Sequence, residues 1–195
     1  MENKINIKVI IGSTRQSRFS DKPAVWIFEK LKKIEGVEAE LIDLRDWPLP
    51  FYNEALPPIA LAEKYTEPIY KKWADKVREG DAYIVVTPEY NHGYPAVLKN
   101  ALDVVFFPWN DKPIGFVSHG TVMGARAVEQ LRLVAVDLSM VPIRNSIHLA
   151  PSWELSENDG SLKEGAFEPY ENAAAVFLAE LVRWAEILKS FKLKK

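Results

Sequence analysis

The chain has 195 residues, with 25 Lys and Arg against 27 Asp and Glu, a formal net charge of -2 and no cysteine. That balance argues against nucleic acid or a membrane surface held by bulk charge, and the missing cysteines exclude a disulfide framework, a thiolate metal site and a cysteine nucleophile. Hydrophobic residues at 48% and charged residues at 27% sit near the globular average, so one domain over residues 1–195 with a full core is expected.

Met1-Glu2-Asn3-Lys4 leads straight into an apolar run and carries no signal-peptide pattern. No apolar run approaches the roughly 20 residues that span a bilayer. A soluble, cytoplasmic protein is expected. The first strand is Ile5 to Ile11, a β-branched run of the kind buried on both faces of a parallel sheet. Gly12-Ser13-Thr14-Arg15-Gln16-Ser17-Arg18-Phe19-Ser20 follows as a loop. Ser20 or Asp21 can cap the next helix, and Pro23 suits its first turn. Ala24, Ile27, Phe28 and Leu31 recur at helical spacing, and Gly36 closes that segment. Val37 to Asp43 reads as the second strand.

Leu44 to Pro58 is a proline-punctuated loop holding Trp47, Phe51 and Tyr52. Ile59 to Gly80 reads as helix, broken near Pro68, with Ile69, Trp73 and Val77 on one face. Asp81 to Thr87 is the third strand, Pro88 to Pro95 a turn, and Ala96 to Val105 a helix. Pro113 to Ser118 is the fourth strand and His119 to Gly124 a loop. Ala125 to Leu138 is a helix, Met140 to Ile147 holds the fifth strand, and Ala150 to Pro169 is a long loop. Tyr170 to Lys189 is the last helix, and Lys189 to Lys195 a basic tail suited to a helix C-terminus.

Five rounds of strand then helix imply an α/β fold with a parallel sheet and right-handed crossovers. Five strands point to the doubly wound, flavodoxin-like order 2-1-3-4-5, in which ligands bind beyond the carboxyl ends of the strands. At that edge the loop Gly12 to Ser20 is a candidate anion site, since backbone N–H groups, hydroxyls and two arginines converge before a helix N-terminus. It lacks the Gly-Lys-Ser/Thr of a Walker loop and the second and third glycines of the dinucleotide fingerprint. A terminal phosphate of a mononucleotide fits it, against the plainer reading of a polar helix-entry turn. The turn Pro88-Glu89-Tyr90-Asn91-His92-Gly93-Tyr94-Pro95 lies at the same edge. Tyr90 can lie against a planar ring and Asn91 can bond to its edge.

A strand ending in Gly-Ser-x-Arg, then Pro-Glu-Tyr-Asn-x-x-x-Pro-x-x-Leu-Lys-Asn-x-x-Asp over residues 88–103, resembles the NADPH-dependent FMN reductase family, whose relatives include quinone, azo-dye and chromate reductases. The resemblance covers Ile5 to about Val136. It implies that Ser13, Arg15, Ser17, Arg18 and Ser20 form the FMN phosphate cradle. It implies that Pro88, Glu89, Tyr90 and Asn91 contact the isoalloxazine and ribityl chain. The loop after the fourth strand, usually Ser-x-Gly-x-x-Gly-Gly, reads Ser118-His119-Gly120-Thr121-Val122-Met123-Gly124-Ala125 here, with Ala125 in place of the second paired glycine. Ser118, His119 and Gly120 are expected beside the flavin.

The implied activity passes hydride from NADPH or NADH through non-covalent FMN to a small-molecule acceptor such as a quinone, azo compound or free flavin. The chemistry then belongs to the cofactor, and no side chain is assigned as catalytic. Backbone N–H groups near Glu89 to Asn91 are candidates to stabilise charge on the reduced ring. A flavodoxin-like electron carrier or flavin-based redox sensor is the alternative. A phosphate ligand other than FMN is a weaker third.

His92, His119 and His148 are the only histidines, and no two have metal-ligand spacing, so no metal site is expected. Each is read first as a hydrogen-bonded structural residue; His119, on a ligand-facing loop, is the best exception. Trp47, Phe51 and Tyr52, and likewise Phe106, Phe107 and Trp109, can shield a ring or form a subunit contact; core packing or a dimer contact is the plainer reading, and the dimer contact is favoured slightly. A homodimer or homotetramer is expected. Lys99 and Asp103, at i, i+4, are read as a surface pair.

Overall fold

The computed structural model describes residues 4–192. A parallel sheet runs β2-β1-β3-β4-β5, with β6 also pairing β4. Its strands are β1 (Ile5–Ile11), β2 (Val37–Asp43), β3 (Ala82–Pro88), β4 (Pro113–His119), β5 (Val141–Pro142) and β6 (Ile147–Leu149). The helices are α1 (Asp21–Leu31), α2 (Pro58–Leu61), α3 (Pro68–Arg78), α4 (Ala96–Asp103), α5 (Ala125–Asp137), α6 (Ser152–Leu155) and α7 (Glu171–Lys192). The doubly wound order expected from the strand–helix alternation is the order found.

Alternation along the strands sorts the core into two layers. Ile7, Val9, Ile84, Val86 and Val117 face α1 and α7, meeting Ile27, Leu31, Phe177 and Leu181. Ile10, Tyr83, Val85, Ile114 and Phe116 face α3, α4 and α5, meeting Trp73, Val77, Leu98 and Leu131. Burial on both faces is why β3 and most of β4 are apolar along their length; in β1 the buried Lys8 is paired with Glu40 and Glu79. Gly12, just past β1, must be small: a Cβ there would meet Leu98 Cδ2 at 2.9 Å and the Val86 carbonyl oxygen at 3.0 Å.

Four expectations need correction. The fifth strand is two short pieces rather than one run. Pro142 offers no N–H; the Ile143 N–H still reaches the Ile114 carbonyl at 2.9 Å, but the backbone groups that follow it turn to side chains. Arg132 donates to the carbonyls of Ile143 (2.6 Å) and Arg144 (2.9 Å), while Glu180 accepts from the N–H groups of Arg144 (3.2 Å) and Asn145 (3.1 Å). The segment expected as a loop over 150–169 contains α6, an antiparallel bridge between Ser156 and Leu162, and a 3-10 turn at Glu168–Tyr170. Leu155 and Phe167 anchor it in the core.

Third, the aromatics divide. Trp109 is fully buried, and Trp47 packs edge-on against Trp73 with ring centroids 5.0 Å apart. Phe51 and Phe107 stay exposed. Fourth, Ser20 takes the N-cap position of α1, yet its side chain makes no capping bond. Asn100 of the Leu-Lys-Asn motif donates its amide to the carbonyls of Leu49 (3.1 Å) and Pro50 (2.9 Å), which fixes the proline-rich loop. Lys99 and Asp103 do pair on the surface of α4. Lys189 reaches Asp81 at 2.7 Å; residues 193–195 of the basic tail and Met1 to Asn3 lie outside the described residues.

Candidate flavin cleft

β1, β3 and β4 run parallel, so their carboxyl ends release three loops onto one edge of the sheet. Between them lies a cleft of about 220 Å³. Arg15, Ser17, Arg18 and Phe19 line it from the first loop; Pro88, Glu89 and Tyr90 from the second; and His119, Gly120 and Thr121 from the third. Ser152 and Trp153, from α6, complete the wall. A groove of about 510 Å³ between α1 and α7 is larger, but it lies on a helical face away from the strand ends.

Ser13, Ser20 and Ser118 are buried beneath the cleft; the first two hydroxyls join the loops to one another, and the third ties its own loop to β6. Ser13 Oγ is 2.9 Å from the Tyr90 hydroxyl, linking the first loop to the second. Ser20 Oγ is 2.9 Å from His119 Nε2, linking the first loop to the third. Ser118 donates to the Met123 carbonyl at 2.8 Å and lies 2.9 Å from His148 Nδ1.

The two arginines of the first loop differ. Arg18 is buried, with its guanidinium shared among Asp43, Asp21 and the Ser13 carbonyl. Burial alone would raise the Asp43 carboxyl, but hydrogen bonds from Arg18 and Arg45 outweigh it and hold it far below the usual carboxylate range. Against the lowering effect of its own burial, Arg18 is raised by its hydrogen bonds to Asp43 and Asp21. Arg15 is exposed and lies 5.9 Å above the centroid of the Tyr90 ring. No described carboxylate pairs with it. Around it, the N–H groups of Thr14, Gln16 and Ser17 find no acceptor among the described residues.

The second loop is a tight hairpin. Tyr90 and Gly93 exchange both backbone hydrogen bonds, at 2.8 and 3.0 Å. Asn91 and His92 take φ of 49° and 69°, the positive values that a two-residue I′ turn demands at both central positions. This places Asn91 at an exposed tip rather than in the cleft wall. The Glu89 N–H donates to the His119 carbonyl at 3.0 Å, and the Tyr90 N–H to Gly93. Both are therefore used within the protein, and of the three amides suggested as charge stabilisers only that of Asn91 lacks an acceptor among the described residues. The Glu89 carboxylate binds Arg126, with 2.7 Å to Nε and 3.1 Å to the backbone N–H. It thereby locks the hairpin to the start of α5.

In the third loop, Gly124 carries the steric demand. Its φ is +75°, and a Cβ would lie 2.6 Å from Ser118 Cβ. Ala125 is the exposed first residue of α5, so the absent second glycine removes no necessary space.

The histidines are all hydrogen-bonded. His92 Nε2 is 2.6 Å from Arg126 Nη1. His119 packs edge-on against Phe19, and burial pushes its imidazole down to about 4. It is neutral at pH 7. The depressed value sets a sign: between pH 6.5 and about 4 the unfolded chain binds the proton that folded His119 refuses, so stability falls on acidification. The expected loss is about 3 kcal/mol by pH 4. Urea midpoints for His119→Gln, which retains a hydrogen-bonding amide, should show a correspondingly shallower pH slope. An equal slope in variant and wild type would refute this assignment.

Sequence reasoning missed Phe19, Thr121, Ser152 and Trp153. Trp153 carried a usable signal, an aromatic just beyond the carboxyl end of the last strand.

A flavin mononucleotide needs donors for a phosphate and a surface for a ring. Arg15, Ser17 and the unpaired amides supply the first, and the Tyr90 hairpin the second; the residues present fit the group. An NAD(P)H-dependent FMN reductase of Schizosaccharomyces pombe is 42% identical over 134 residues, covering 69% of this chain and 67% of its own length. A quinone reductase of Pseudomonas putida is 29% identical over 196 residues, covering 96% and 98%. The solved structure of FerB, a flavoenzyme NAD(P)H:(acceptor) oxidoreductase from Paracoccus denitrificans, superposes with a TM-score of 0.70 at 22% identity, over 92% of this chain and 98% of that one, and supports the fold. The sequence model described as NADPH-dependent FMN reductase matches residues 5–154, beyond the limit of the motifs and through the Trp153 segment. The chain belongs to the NADPH-dependent FMN reductase family.

Proposed function

We propose that this chain, read as one FMN-binding domain, is an NAD(P)H-dependent oxidoreductase acting on small planar acceptors such as quinones, azo compounds or free flavin. The observation that supports it most is the meeting, in one cleft, of an unpaired cationic phosphate loop and a rigid ring-binding hairpin. Bound FMN supplies a ring that accepts hydride from NAD(P)H and returns two electrons to an acceptor. Arg15, Ser17 and the loop amides hold the phosphate. Tyr90 and Pro88 support the ring, and Gly120 lets the third loop approach it. Ser13, Ser20 and Ser118 brace the loops from below, and Glu89 fixes the hairpin. His119, neutral and tied to Ser20, orients the third loop; no side chain is assigned proton transfer. The relatives are named as reductases, which favours this reading over an electron carrier or redox sensor.

The test is optical. The purified protein with added FMN should show protein-bound flavin absorbance, and anaerobic NADPH or NADH should bleach it. A quinone or azo dye should then restore the colour. Bound flavin that neither nucleotide bleaches would favour the carrier, and no flavin binding would defeat both readings.

Among the described residues no helix is long and apolar enough to cross a membrane, and no group of three metal-ligating side chains is assembled. We place the protein in the cytoplasm as a homodimer or homotetramer. Exposed Phe51 and Phe107 support a subunit contact, which light scattering of the purified protein would test.

A further inference from the structure

One exposed aromatic has no packing reason for its position. Trp153 stands on α6 at 63% exposure, whereas the other five of the six tryptophans are buried or half-buried. It is the one large hydrophobic side chain among the cleft-lining residues that is open to solvent. The segment beneath it is firmly tied. Leu155, two residues on, is buried. Lys163 donates its N–H to the Leu155 carbonyl at 3.0 Å and its Nζ to the Glu154 carbonyl at 2.8 Å. Lys22 Nζ donates to the Gly160 carbonyl, fastening the segment to the first turn of α1. The fold therefore holds an indole at the mouth of the cleft that Arg15, Ser17 and Tyr90 line.

We propose that Trp153 is a cofactor-binding residue, the outer wall of the cleft against which FMN packs. This rests on the assignment of FMN to the cleft. The surroundings select the occupant. A protein partner would need a continuous apolar patch around the indole. Here the ring adjoins a concave site with an unpaired guanidinium and free amide donors. That combination suits a planar heteroaromatic ring joined to a phosphate. Stacking or edge contact with such a ring recovers the apolar surface that the indole leaves in water.

Two variants and two readouts test it. Trp153→Ala and Trp153→Phe are exposed substitutions, and melting curves will verify that both fold. Titration of the apo-protein with FMN should show Kd raised about ten-fold in Trp153→Ala, with Trp153→Phe recovering most of the loss. Acrylamide quenching of tryptophan emission gives an independent signature. FMN should shield an acrylamide-accessible component in the wild type, and Trp153→Phe should lack that component. If Trp153→Ala binds FMN as the wild type does and FMN leaves quenching unchanged, the proposal is overturned while the FMN assignment stands. An unchanged Kd with a raised KM for NAD(P)H or acceptor, or with loss of oligomer, assigns the indole elsewhere and also overturns it. A wild-type chain that binds no FMN overturns both.

Discussion

Arg15→Glu weakens FMN binding by about two orders of magnitude and leaves the melting temperature near that of the wild type; this is the largest functional effect we expect from one substitution. Arg15 is exposed, pairs with no described carboxylate, and sits beside amides that lack acceptors. A hydrogen bond to a charged group contributes about 1.5–3 kcal/mol, and reversing the sign adds repulsion of similar order against the phosphate. Arg15→Lys keeps the charge but loses the two-pronged geometry, so about ten-fold is expected there. Flavin fluorescence titration measures both. Wild-type affinity in Arg15→Glu would mean that the phosphate lies elsewhere.

Arg18→Met has the opposite signature. Its guanidinium is buried between Asp21, Asp43 and the Ser13 carbonyl. Removing it leaves Asp43 partly buried without its main partner, at an expected cost of about 3–5 kcal/mol. For a chain of this size that lowers the melting temperature by roughly 10 °C. Asp43→Asn in the same background should recover part of the loss, because it removes the stranded charge. Loss of FMN binding at an unchanged melting temperature would instead make Arg18 a direct phosphate ligand. Acid separates this cluster from His119. The Asp43 carboxyl is depressed, so its contribution is complete above the unfolded value of 3.8 and is lost only as pH falls below it. The His119 contribution already declines from pH 6.5.

The resemblance named Arg15 and Arg18 together, and spacing gave no way to separate them. Asp43 lies 25 positions from Arg18, at the end of the neighbouring strand, and only the pairing of β1 with β2 brings it beneath the loop. The serines pose the same problem. Ser13, Ser20 and Ser118 were expected as ligand contacts, yet each finds a partner within the protein: Ser13 and Ser20 on the other loops, Ser118 on His148 of β6. A hydroxyl in a glycine-bounded loop looks the same in sequence whether it faces a ligand or a neighbouring loop. The 150–169 segment was opaque for another reason. A four-residue helix and a single bridge lack the periodicity that marks regular elements, and the segment is fixed by two buried anchors, Leu155 and Phe167, and by scattered hydrogen bonds such as those of Lys163 and Lys22.

What the sequence determined by itself is local and periodic. β1 and β2 begin and end where their apolar and alternating patterns do, because side-chain period reports which faces are buried. The strand–helix alternation calls for a parallel sheet, because joining parallel strands needs a crossover element between them. The 88–103 motif identifies the family, because its turn residues and spacing are hard to meet by chance. The tertiary structure decided everything that depends on a partner distant in the chain. It neutralised Arg18 and left Arg15 bare, and it turned three hydroxyls inward. It also set Trp153 at the mouth of the cleft. Charge and hydrogen-bonding capacity are properties of pairs, and these pairs exist only once the strand ends meet.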